Sequence, residues 1–184
     1  MIGAPTNKNW EEDSDEASIE VPWRVQEIWV SPGHDYWTRG GENRLSHGNR
    51  SVDRVRCEAS RGLVGDRYFD DRPGDIGVGR RCQVTFMDAA VIQSVRERFR
   101  LPHLPASVFR RNIIVATDAN HPLARYLGRT FKLQGVEFEG AQECTPCHWM
   151  DRVVDEGCQA YLREAFRGGL RCRIRSSGDL TTTP

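Results

Sequence analysis

The sequence predicts a mainly β fold with a small number of helices. Three observations carry this. Apolar and β-branched residues come in short runs of strand length: "WRVQEIWV" at 23–30, "SVDRVRCEA" at 51–59, "RCQVTFM" at 81–87, "NIIVATD" at 112–118 and "LRCRIR" at 170–175. A helical period is clear in two stretches, near 89–100 and 155–166. Strands and helices do not alternate as βαβ units, which weighs against a Rossmann or thioredoxin layout.

Taken in order, residues 1–20 hold six acids against one lysine and read as a disordered tail ahead of a single domain over 21–184. The β-branched, aromatic run at 23–30 is the first strand. "SPGHDYWTRGGENRLSHGNR" (31–50) is rich in Gly, Ser and Asn with no apolar period, so it reads as a long loop. The strand at 51–59 is followed by the glycine-dense "SRGLVGDRYFDDRPGDIGVG". After strand 81–87, Asp88 is placed to cap a helix over 89–100, with Val91, Ile92, Val95 and Phe99 on one face. "LPHLPAS" breaks that helix, and 112–118 reads as a buried strand. "RTFKLQGVEFEGAQE" (129–143) reads as a hairpin turning at Gly135. In the second helix, Cys158, Tyr161, Leu162, Ala165 and Phe166 fall at i, i+3, i+4, i+7 and i+8. Gly168 and Gly169 are read as its stop.

At 184 residues the chain suits one domain with a real core. Lys+Arg and Asp+Glu are both 26, so no global basic field is available to hold nucleic acid or an anionic membrane. The first residues lack an apolar signal core, and no run of about 18 apolar residues occurs. The sequence therefore predicts a cytoplasmic setting, where thiols stay reduced. The six cysteines (57, 82, 144, 147, 158 and 172) are read as thiols or ligands and not as a disulfide framework.

The stretch "ECTPCHWMD" (143–151) carries the chemistry. Cys144-Thr145-Pro146-Cys147-His148 fits a haem attachment signature, a thiol–disulfide site and half of a zinc site. Haem attachment needs an export signal, which this sequence does not show. A thioredoxin-type pair sits at a helix start early in a βαβ unit, whereas this pair follows a hairpin late in the chain. Zinc needs two further ligands. Cys158 and Cys172 could supply them, although Cys158 lies on the core face of the second helix.

Four stretches, "RGLVGDRYF" (61–69), "FRRNIIV" (109–115), "FEGAQECTPC" (138–147) and "FRGGLRCRI" (166–174), resemble in their order and distances the MOSC domain. This module is named for the C-terminal part of molybdenum cofactor sulfurase. The resemblance runs from about residue 23 to 176. It implies a distorted β-barrel with a few packed helices, and a molybdenum–pyranopterin cofactor. In reductase members the second cysteine of a C-x-x-C binds molybdenum, which lands on Cys147 as both the catalytic and the metal-binding residue. The family's Arg-x-Asn lands on Arg110 and Asn112, and its Gly-x-x-Gly-Asp on Gly62, Gly65 and Asp66. A soft, deprotonated thiolate suits molybdenum, and arginines suit the pterin phosphate. Arg50 and Arg111 are further candidates for that phosphate. If a strand begins at 112, Arg110 and Arg111 would point to opposite faces.

The resemblance implies a reductase of small N-hydroxylated compounds. No plant-type C-x4-C-x2-C signature is present, so a separate flavin or iron–sulfur protein would donate the electrons. The alternative is a non-enzymatic carrier of the cofactor or of a persulfide. Two departures from the family stand out. The chain closes "SSGDLTTTP", so the family's last strand is expected to be shortened or missing. The family's phosphate-contacting Lys-Ser has no clear match in 31–50, where "SHGNR" is nearest.

Overall fold

The computed structural model describes residues 18–33, 48–69 and 82–183. Its strands are β1 (Ile19–Glu20), β2 (Arg24–Val30), β3 (Arg50–Ser51), β4 (Arg54–Glu58), β5 (Gly62–Leu63), β6 (Val84–Asp88), β7 (Ile113–Ala116), β8 (Thr130–Leu133), β9 (Val136–Glu143), β10 (Leu170–Ile174) and β11 (Gly178–Thr181). Three helices, α1 (Ala89–Arg98), α2 (Trp149–Val153) and α3 (Cys158–Arg163), accompany two single-turn 3-10 segments at Ala106–Phe109 and Leu123–Tyr126. The fold is mainly β, as the sequence predicts.

Eight strands form one curled sheet in the order β1-β8-β9-β10-β6-β7-β2-β3, and β11-β4-β5 form a second. Most pairs are antiparallel, but β6 and β7, joined through α1, run parallel. Their sequences show why they sit at the centre. A strand covered on both faces reads as a nearly continuous apolar run. In β6, Val84 and Phe86 face the main core with Ile113 and Val115 of β7, while Met87 and Ile114 face a second cluster with Ile92, Val95, Cys158 and Leu162 of the helices. The period of two thus divides one apolar run between two cores. Phe131, Phe138, Trp23 and Tyr126 fill the main core around Phe86, with ring centroids 5.0–6.2 Å apart. Leu63, Val55 and Leu180 of the smaller sheet close it.

Asp88 caps α1 as expected, its Oδ1 accepting from Ala90 N at 2.9 Å. The hairpin turns at Gln134–Gly135, both in the left-handed region. Elsewhere the structure differs from the sequence reading. A strand at Ile19–Glu20, pairing in parallel with β8, falls inside the stretch read as tail; residues 1–17 lie outside the described part. The long loop is described only at its ends, 31–33 and 48–50, and the Arg50 side of it pairs with Val30. The helix expected over 155–166 shrinks to α3 at Cys158–Arg163, and α2 at Trp149–Val153 precedes the expected range. Gly157 turns the chain left-handed (φ 87°) ahead of α3, Glu164 is extended, and Ala165 and Phe166 are left-handed, so no helix continues through them. The last strand is present: β11 pairs with β4 through four residues. No described helix is long and apolar enough to cross a membrane.

Candidate functional site

A cleft of about 160 Å³ opens on the outer face of the large sheet and is walled by five separate pieces of chain. Thr85, which alternates with the core residues Val84 and Phe86, forms part of its floor with Cys82. Arg67 and Tyr68 come from the turn after β5, Arg110 and Arg111 from the approach to β7, and Arg171 from β10. The segment Cys144 to Cys147, with Met150 of α2, closes the remaining side. Four guanidiniums line the cleft and no described carboxylate does.

Cys147 owes its place to a tightly fixed loop. Cys144 N donates to Gly169 O (2.8 Å), Gln159 Nε2 to Pro146 O (3.2 Å), and Met150 N to Cys147 O (3.0 Å). Gly168 packs so closely beneath Cys144 that a Cβ there would lie 1.8 Å from the Cys144 carbonyl oxygen. The glycine pair therefore supports this loop, beyond ending a helix. All six cysteines are among the described residues, and Cys147 is the one not buried. Burial pushes the Cys57 and Cys82 thiols up to about 12 and Cys158 to about 11, and it holds Cys172 well above the ordinary thiol range. These four stay protonated at neutral pH. Alkylation of the native protein near pH 8 is expected to modify Cys147 first and those four only after unfolding. Mapping of the modified peptides by mass spectrometry checks this, and early labelling of Cys82 would contradict it.

The arginines are held differently. Arg110 follows the 3-10 turn and is left-handed (φ 55°, ψ 36°), a costly conformation for a residue with a Cβ. The strand begins only at Ile113, so the alternation expected of Arg110 and Arg111 does not apply, and both line the cleft. Arg110 Nη2 donates to Gly33 O (3.1 Å); Arg111 donates from Nε to Gly168 O (2.9 Å) and from Nη1 to Phe109 O (2.7 Å). Burial works against the charge of Arg171, but the nearby Cys144 and Cys82 sulfurs outweigh this, so its pKa is raised. A register shift between Arg171 and Cys172 in the β9–β10 ladder marks a bulge at this point.

Of the residues expected at the site, Cys147 and Arg110 meet in the cleft. Asn112 and Asp66 meet each other behind its wall: Asn112 Nδ2 donates to Asp66 Oδ2 at 3.0 Å, and both side chains are buried. They do not line the cleft. Gly65, left-handed at φ 86°, and exposed Arg50 lie beside one another, with Arg50 Nη2 3.4 Å from where a Gly65 Cβ would stand; neither is a lining residue. His148 is exposed at the start of α2. Cys158 belongs to the helix-side core and Cys172 to the main core, and no cluster of three His, Cys, Asp or Glu side chains among the described residues could hold a metal ion. Sequence reasoning missed Arg67, Tyr68, Thr85 and Arg171 as cleft residues. Arg67 and Tyr68 directly follow the Gly-Asp turn it singled out. In "LRCRIR" the alternation already sends Leu170, Cys172 and Ile174 inward and Arg171 outward.

A family model for the MOSC domain matches residues 73–182. The chain belongs to the MOSC domain family. Among solved structures, the YuaD protein of Bacillus subtilis is similar over 87% of this chain and 91% of its own, with a TM-score of 0.62 at 11% identity. YiiM of Geobacillus stearothermophilus is similar over 87% and 71% (TM-score 0.58, 14% identity), and YiiM of Escherichia coli over 86% and 65% (TM-score 0.55, 14% identity). At these identities the likeness is one of fold. A search of curated proteins found no match.

MOSC domains are associated with the molybdenum cofactor, and the donor set of the cleft fits that group in kind. It offers one accessible soft thiol beside guanidiniums suited to a phosphate and to an anionic dithiolene. The enclosed 160 Å³ is below the roughly 300 Å³ typical of pockets that bury a whole small ligand. The described walls thus take one end of a group of that size.

Proposed function

We propose that this MOSC protein binds the molybdenum–pyranopterin cofactor at the cleft, with the Cys147 thiolate on the metal, and reduces small N-hydroxylated compounds. The observation that carries the reading is the meeting, among the described residues, of the one unburied cysteine with four arginines and no carboxylate in a single cleft. Cys147 supplies the soft donor, and its loop is braced so that the sulfur keeps one direction. Arg67, Arg110, Arg111 and Arg171 balance the negative charge of phosphate and dithiolene. Met150 and Pro146, both buried, form an apolar wall that limits water at the thiol. The bound group supplies two-electron chemistry that can take the oxygen from an N–OH bond; the chain's part is to orient and tune it. Electrons come from a separate flavin or iron–sulfur protein.

The test compares Cys147→Ala with Cys144→Ala, both produced in a host that makes the cofactor. Molybdenum content and reduction of an N-hydroxylated substrate are measured with an artificial electron donor. Cys147→Ala is expected to lose activity beyond detection, since no nearby group replaces a thiolate. Cys144 is buried in the cleft wall with its backbone bonded to Gly169, so its loss is expected to cost on the order of tenfold. Equal damage from both would count against Cys147 as the ligand. One equivalent of zinc and no molybdenum in the unmutated protein would sink the reading.

A further inference from the structure

Of the chain's six cysteines and three methionines, Cys82, Cys144, Cys147 and Met150 all line the cleft. A single thiolate on molybdenum uses one of these four sulfurs. Cys82 is set apart, because burial pushes its thiol up to about 12 and keeps it protonated. The other three follow one another along a short, braced piece of chain. Cys144 N donates to Gly169 O (2.8 Å), Pro146 stiffens the link, and Met150 N donates to Cys147 O (3.0 Å). Met150 thereby stands one turn beyond Cys147, at the start of α2. Cys144 and Met150 are almost closed to solvent, yet both line the cleft.

Two thiols and a thioether form a donor set with a narrow choice of metals. Soft sulfur ligands favour Cu(I) over harder ions. Structural zinc takes four ligands, and no group of three His, Cys, Asp or Glu side chains among the described residues could hold a metal ion. Cu(I) is satisfied by two thiolates in line, and a thioether can approach as a further donor. Charge points the same way. Cu(I) on two thiolates carries one net negative charge, which the guanidiniums of Arg67, Arg110, Arg111 and Arg171 stabilise and which no described lining carboxylate opposes. A divalent ion on the same two sulfurs would be neutral and would gain nothing from those arginines.

We propose that Cys144, Cys147 and Met150 bind one Cu(I) ion directly, without the pterin. Two thiol protons pass to solvent as two copper–sulfur bonds form, and no electron is transferred. Because Cys147 serves both groups, Cu(I) and the molybdenum cofactor exclude one another. That exclusion rests on the proposed function; the copper site itself does not.

The experiment adds the full chain, reduced and purified without cofactor, to the coloured Cu(I) complex of bicinchoninate under anaerobic conditions, and follows the loss of colour. The unmutated chain is expected to withdraw one equivalent of Cu(I). Cys147→Ser and Cys144→Ser are each expected to weaken binding by more than the roughly 10–100-fold that follows loss of an outer partner of a metal ligand. Met150→Leu, which nearly keeps the volume, is expected to weaken it severalfold. His103→Ala, an exposed change, is the control and should bind as the unmutated chain does. If Cys144→Ser does not fold, X-ray absorption at the copper edge of the unmutated complex decides. A shell made of sulfur alone is expected, and a nitrogen or oxygen neighbour would overturn the site. So would full affinity in either serine variant, or no withdrawal of Cu(I) by the unmutated chain. Protein that holds Cu(I) but takes up no molybdenum in a competent host would sink the reductase reading and leave the copper site standing. Molybdenum uptake without Cu(I) binding would do the reverse.

Discussion

Gly168→Ala is expected to displace the Cys144–Cys147 loop and to lower Tm by several degrees. The added Cβ would stand 1.8 Å from Cys144 O, 3.0 Å from Cys144 C and 3.2 Å from Pro146 Cδ. Two of these are backbone atoms, so no rotamer change relieves the clash. Overpacking costs about 1–3 kcal/mol where side chains can yield, and more where they cannot. The relaxation must move either β10 or the loop that carries Cys147, and the loop is the less heavily bonded of the two. Cys147 alkylation rate and thermal unfolding are the measurements. Gly157→Ala is the contrast. That glycine is left-handed but has open space around it, so alanine strains φ by about 1–2 kcal/mol and should leave Cys147 reactivity unchanged. Equal labelling rates in Gly168→Ala and the unmutated protein would show that the contact does not set the thiol's position.

Asn112→Leu is expected to cost on the order of 3–5 kcal/mol, a large share of the stability of a domain this size. Leucine keeps the branched shape of asparagine but is bulkier and has no amide, so Thr85 N and Trp29 O lose their bonds to it and the buried Asp66 carboxylate loses one of its donors. Each lost partner costs about 1–3 kcal/mol, and the charged one most. Thr85→Val separates the contributions, since it removes only the hydroxyl's exchange with Asn112 and should cost about 1 kcal/mol. Denaturant unfolding with an unchanged slope would read both. Near-native stability in Asn112→Leu would mean the three groups find other partners.

What was legible in the sequence follows from how local each feature is. The runs at 84–87 and 113–115 were readable because burial on both faces leaves them nearly all apolar, Thr85 being the one polar side chain. The Asp88 cap was readable because it is satisfied two residues away. The helix over 155–166 misled because its spacing is helical while Gly157, Ala165 and Phe166 take left-handed backbone that spacing does not report. Cys147 and Arg110, which line the cleft, were singled out through family motifs. Asn112 and Asp66 belong to the same motifs, yet they meet behind the wall, because a motif marks constraint without saying whether ligand or neighbour imposes it. The meeting of Arg67 with Arg171 was not legible, since it depends on the turn after β5 and on β10, far apart in the chain, being brought to one cleft.

The pairing scheme also dictates an order of events during synthesis. β2 finds its partners in β7, and Val25 O accepts from Thr183 N. β4 pairs with β11, and Asp53 O accepts from Thr182 N. Chain emerging at roughly 5–20 residues per second therefore leaves β2 without β7 for several seconds until residues 113–116 arrive, and β4 without β11 for longer still. Trp23, Val25, Ile28 and Val30, all buried in the finished fold, are exposed throughout that interval. Long-range pairing of this kind folds slowly and is open to association while it waits. Yield of soluble protein should accordingly respond more to the speed of translation and to chaperone supply than to changes in the stability of the finished domain.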